Sequence, residues 1–176
     1  MLALDATATS WQRVIGFVAD NMDLVEPLVF LLGFAESIVF VSLLVPSTIL
    51  FLAIGGLHHA AGGHFVSLWL AGATGAFLGD VISYALGRYF RADIAGLWPF
   101  SRKPEWYVLA RGFFQRWGAP GLILSKFMGM MRPFVPVVAG AAHMRWPPFL
   151  AASAVSCLLW AGVFLGPGHG LGWFVR

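Results

Sequence analysis

Lys126 and Arg132 stand in a stretch of sequence too apolar to hold charge without a partner, a run that begins near Ala119 and ends near Ala142. Glu36 stands in a second such run, from Leu24 to Leu57, and Asp80 in a third, near the end of 65–86. An ionised side chain at the centre of a bilayer costs roughly 2.5–3.5 kcal/mol on insertion scales, so each must face protein, water or an anion. Two cations six residues apart suit an anion such as phosphate, which they would hold by charge-assisted hydrogen bonds. On a straight helix that spacing puts them about 120° apart. A chain reversal near Gly129 would bring both to one pocket, and broken-helix N-termini would add amide donors. Glu36 and Asp80 are the candidates for proton coupling or for charge pairing with the cations. Asp80, Tyr84 and Arg88 follow at four-residue steps and share one helix stripe, with Tyr84 and Arg88 in supporting positions. The plainer alternative is that Lys126 and Arg132 neutralise Glu36 and Asp80 as structural pairs, and the two roles are compatible.

The elements that carry these residues belong to a membrane protein. Of 176 residues, 59% are hydrophobic and 11% are charged, with a mean hydropathy of +0.80, against about 25% charged in a soluble domain. The length suits a single domain with membrane segments of about 20 residues each. Cys157 is the single cysteine, which excludes an internal disulfide. Residues 1–10 hold Asp5 and no Lys or Arg, so insertion is expected to depend on internal helices. No Gly-rich phosphate loop or nucleophile-base signature is present, so no catalytic residue, enzyme activity or cofactor is expected. His58, His59 and His64 have no neighbouring Cys or carboxylate, and the expectation is an interfacial loop and no metal site.

In chain order, residues 1–23 read as an interfacial helix and 31–57 as a first hairpin containing Glu36 and Pro46. A span follows at 65–87, whose small residues Gly72, Ala73, Gly75, Ala76 and Gly79 allow close helix approach, either inside the molecule or in a homo-oligomer. The segment 88–118 is basic and aromatic, with six of the eleven Lys and Arg residues. The positive-inside rule assigns it to the cytoplasm, with the anionic leaflet and not nucleic acid as its partner. A second hairpin spans 120–142, with Pro133 and Pro136 disrupting its helix, and a last span covers 147–166. Glu36 precedes Pro46 by ten residues and Lys126 precedes Pro136 by ten. Paired interrupted segments in corresponding halves point to a transporter site near the midplane. The predicted fold is an all-α integral membrane protein, multi-pass, with two re-entrant hairpins and transmembrane helices in an inverted repeat.

The sequence resembles the DedA family, the bacterial branch of a superfamily that includes lipid scramblases of the endoplasmic reticulum. Phe34-Ala35-Glu36 is similar to the family's acidic motif, and Pro46 with Gly55-Gly56 to its first hairpin. Gly75 to Arg88 is similar to its G-x-x-x-G-D-x-x-x-Y-x-x-G-R pattern. Lys126-Phe127 and Arg132-x-x-x-Pro136-x-x-Ala139-Gly140-x-x-x-Met144 are similar to its basic motif, and 149–160 to its last helix. The resemblance implies a flippase for a phosphate-bearing lipid, a phospholipid or polyprenyl phosphate with undecaprenyl phosphate leading, and the proton gradient as a candidate drive. Lys126 and Arg132 would bind the phosphate. The sequence departs from the family at Ser47-Thr48, where an acid is usual, at Lys126, where Arg is usual, and at Ser153, where Asn is usual. A proton-coupled small-ion or solute transporter is the alternative, and an intramembrane lipid phosphatase a further one.

Overall fold

A computed structural model describes residues 20–38, 47–90, 96, 101–128 and 132–171. Within them the chain forms helices α1 (Met22–Ser37), α2 (Ser47–Ala60), α3 (Phe65–Phe90), α4 (Pro104–Ser125), α5 (Phe134–Ala141) and α6 (Trp146–Leu171), with no strand among the described residues. α3 and α6 are long and apolar enough to cross a membrane.

Their outward faces show why. On α3, Val66, Leu70, Leu78 and Ile82 are exposed at four-residue steps, and on α6 Val155, Leu159 and Val163 repeat the pattern. Thr74 interrupts the α3 stripe, but its hydroxyl donates to the carbonyl of Leu70 at 2.7 Å and is thereby satisfied within the helix. The polar residues point inward, among them Glu36, Asp80, Lys126, Arg132, Ser153 and Ser156. This apolar exterior around a partly polar interior is what a bilayer solvent requires.

Glycine decides how closely the helices meet. α1 lies along α3, and a Cβ on Gly75 or Gly79 would strike the carbonyl of Phe30 or Phe34. α5 packs on α3 and α2 packs on α6, and the two crossings have the same reciprocal form. A Cβ on Gly87 would meet the carbonyl of Val137, and one on Gly140 the carbonyl of Tyr84. Likewise Gly168 faces the carbonyl of Leu52, and Gly55 that of Leu165. Each helix thus presents a glycine together with the carbonyl of the residue three positions before it. Gly87→Ala should force α3 and α5 apart and cost about 1–3 kcal/mol, the range for overpacking a close contact. Gly112→Ala, at a position where nothing lies within reach, is the control, with unfolding in detergent as the measurement.

The structure differs from the sequence reading in four respects. α1 begins at Met22 and runs unbroken to Ser37, so the first arm starts before residue 31; residues 1–19 and Pro46 lie outside the described residues. α4 fuses the end of the basic segment to the start of the second hairpin, with a kink at Gly118 (φ 53°, ψ −131°) that a residue with a Cβ would adopt only with strain. Pro136 does not break a helix. It is the third residue of α5, where the missing N–H would have had no intrahelical partner anyway. Both spans extend beyond their expected ends, to Phe90 and from Trp146 to Leu171.

Candidate functional site

The charged residues meet where helices end. Glu36 is the penultimate residue of α1, Lys126 follows the last residue of α4, and Arg132 precedes α5 by two residues. Asp80 comes from within α3. Among the described residues they form two ion pairs, Lys126 with Asp80 at 2.8 Å and Arg132 with Glu36. All four are buried.

Each pair is then extended by side chains that periodicity alone does not single out. Lys126 Nζ also donates to Ser37 Oγ at 3.2 Å, and Ser83 Oγ donates to the Ser37 carbonyl at 2.9 Å. Asp80 Oδ2 accepts from Ser153 Oγ at 2.8 Å and from Cys157 Sγ at 3.5 Å. The guanidinium of Arg132 lies 3.8 Å from the ring centroid of Trp160. Ser153, Cys157 and Trp160 occupy one face of α6, at steps of four and three residues. That face links the two pairs on one side, while the adjacent residues Glu36 and Ser37 link them on the other.

The two pairs are not equally satisfied. Around Asp80 both carboxylate oxygens and the Lys126 ammonium are occupied. At the other pair, Arg132 Nε and Nη2 and Glu36 Oε2 are buried without a hydrogen-bond partner among the described residues. A buried polar group left in this way costs about 1–3 kcal/mol, more when charged. Arg132 therefore keeps unused donors of the kind that engage a phosphate or carboxylate in bidentate fashion.

The sequence reading sets phosphate binding and charge pairing side by side, and the structure shows the pairing. Lys126 and Arg132 do share one region, yet each already carries a carboxylate. Asp80 turns to Lys126, whereas Tyr84 and Arg88 serve another contact. The Tyr84 hydroxyl donates to the Met144 carbonyl, and Arg88 Nη1 reaches that same carbonyl at 3.2 Å and the Tyr84 oxygen at 3.1 Å. These two residues clamp the turn between α5 and α6. Pro136 and Gly140 are buried in α5, where Gly140 gives close contact with α3 and does not touch the charges. His59 Nδ1 meets His169 Nε2 at 3.2 Å, joining α2 to the end of α6. Of the residues the sequence did not assign to the site, Ser153 had a signal, since it replaces the family's usual Asn. Trp160 and Cys157 follow from it by helical spacing.

Long apolar helices with outward apolar stripes and inward paired charges are the features of a helical membrane protein with a buried polar cluster. The comparisons with known proteins agree, and the VTT domain matches residues 45–170. The chain belongs to the VTT-domain family, which is the DedA family. It is 31% identical to the inner membrane protein YabI of Escherichia coli over 80% of this chain and 55% of that protein. It is 29% identical to the membrane protein BU139 of Buchnera aphidicola over 90% of this chain and 61% of the relative. With the membrane protein ML0287 of Mycobacterium leprae it shares 30% identity over 92% of this chain and 72% of the relative. The chain thus spans little more than half the length of the first two. No solved structure matches it.

Proposed function

We propose that this protein moves a phosphate-bearing lipid across a bacterial inner membrane, with undecaprenyl phosphate as the leading substrate. The observation that carries the reading is the guanidinium of Arg132, held by Glu36, stacked on Trp160 and left with two nitrogens unpartnered among the described residues. A phosphate oxygen meeting those nitrogens would satisfy them and compete with Glu36. Release of Glu36 then offers a carboxylate that takes up a proton as the phosphate arrives and loses it as the phosphate leaves. Lys126 is the second phosphate ligand, reached when Asp80 falls back on the hydroxyl of Ser153. The prenyl or acyl tail stays in the bilayer while the head crosses.

The reciprocal glycine crossings, α5 on α3 and α2 on α6, support an inverted repeat in which each half lends a short helix to the span of the other. α1, at 16 residues, is about 24 Å long, short of a hydrocarbon core of about 30 Å. α5 has 8 residues. Both lengths favour re-entrant arms over full spans, with the breaks at Glu36 and Arg132 meeting inside the membrane. Translocation breaks no bond, and the polar side chains suit that. Ser153 and Cys157 both donate to Asp80 and so hold its carboxylate in place beside Lys126.

The test is binding of a short-chain polyprenyl phosphate, its neutral alcohol and an anionic phospholipid to wild type and Arg132→Lys in detergent. Arg132→Lys keeps the charge but loses the planar fork. The expected result is preference for the phosphate in wild type, weakened about tenfold in the variant, the loss of roughly one charge-assisted hydrogen bond. Equal binding of all three lipids, unchanged in the variant, would leave the pair structural. Binding of inorganic phosphate without the lipid would turn the assignment to a small-anion transporter.

A further inference from the structure

The clamp at the end of α3 forms one side of a second feature that the translocation reading does not use. Ala85, Arg88, Tyr89 and Trp146 line an open pocket of about 640 Å³. It lies eight residues along α3 from Asp80, about 12 Å, and is therefore separate from the buried pairs. The Arg88 guanidinium is anchored through Nη1 to the Tyr84 oxygen and the Met144 carbonyl. Nε and Nη2 have no further hydrogen bond among the described residues. No carboxylate lines the pocket among those residues, and the neighbouring Arg145 is exposed.

The walls are aromatic and the opening lies at the end of the exposed apolar stripe of α3. Tyr89 is 80% exposed, while Trp146 is fixed against Tyr84 with ring centroids 4.6 Å apart. Trp and Tyr at the end of a span sit at headgroup level. The exposed stripe of α3 continues from Leu78 and Ile82 to Ala85 and Tyr89 at helical steps, so the apolar outer surface of the span leads directly into the pocket. An acyl chain lying along that stripe would place its headgroup against Arg88. A free anion would gain nothing from the stripe.

We infer that the pocket bounded by Ala85, Arg88, Tyr89 and Trp146 binds the anionic headgroup of a membrane lipid. The site stands whether or not that lipid crosses the membrane, because Arg88 is oriented by the α5–α6 turn and not by the ion pairs. Arg88 is its charge, Tyr84 positions Arg88, and Tyr89 and Trp146 flank the glycerol region.

The experiment is native mass spectrometry of the full chain titrated with phosphatidylglycerol or phosphatidylcholine in detergent. Wild type should retain one phosphatidylglycerol about fivefold more tightly than phosphatidylcholine, the preference one basic side chain gives at an anionic surface. Ala85→Trp fills the pocket from its exposed side without touching the bonds of Arg88, and should abolish that one binding event. Arg88→Ala should do the same, and Ala85→Trp keeps the result interpretable if loss of the clamp unfolds that variant. Equal retention of the two lipids by wild type, or undiminished phosphatidylglycerol binding by Ala85→Trp, would overturn the assignment. Displacement of the bound lipid by millimolar inorganic phosphate would overturn the lipid source, since a free anion would then suffice.

Discussion

Arg132→Ala should destabilise the protein by about 3–5 kcal/mol, the cost of removing one partner from a buried ion pair. Glu36 would be left buried with neither oxygen paired, because its second oxygen already lacks a partner among the described residues. Trp160 would lose the guanidinium 3.8 Å from its ring, a contact worth about 0.5–2 kcal/mol by itself. Adding Glu36→Gln to Arg132→Ala removes the stranded charge and should recover about half of the loss, since breaking a pair costs more than deleting it. Phosphate binding should stay absent in the double variant. Urea unfolding in detergent beside lipid binding separates the two effects. Stability and binding recovering together in the double variant would mean that Arg132 acts on the lipid only through the fold.

The second large effect is expected at Asp80. Asp80→Ala strands the Lys126 ammonium, the Ser153 hydroxyl and the Cys157 thiol at once, since all three donate to this carboxylate. The expected loss is again about 3–5 kcal/mol, dominated by the unpaired cation. Asp80→Asn keeps one acceptor oxygen in place and should cost less. Lys126→Met together with Asp80→Asn should come back toward wild-type stability, because the buried charges then vanish as a pair. A loss below about 1 kcal/mol for Asp80→Ala would show that water reaches Lys126, and thermal unfolding in detergent reads the difference. A double variant that is stable but fails to flip lipid would assign Lys126 a part in transport beyond its part in the fold.

Both expectations concern residues that hydropathy had already marked. A charge inside an apolar run is conspicuous wherever it falls, so Glu36, Asp80, Lys126 and Arg132 were legible from local composition, as were the two long spans and the glycine-rich face of α3. The places where the helices break were legible only in part. Pro136 signals a break but falls inside the first turn of α5, where its missing donor does no harm. The kink in α4 comes instead at Gly118.

Local pattern determined which residues could not be left alone in a membrane, because the cost of burying a charge is a property of the side chain and its immediate surroundings. It did not determine their partners. Two acids and two cations can pair in two ways, and residues separated by 46 positions, as Lys126 and Asp80 are, leave no mark of their pairing in a 3.6-residue period. Tertiary structure made that choice by laying α1 along α3 and packing α4 on α5 and α6, which leaves Lys126 at its end within reach of Asp80. It also aligned Ser153, Cys157 and Trp160 beneath both pairs, and left one guanidinium only half satisfied among the described residues. Those outcomes depend on how closely the backbones approach, and the glycines that permit the approach act only when another helix is there to meet them.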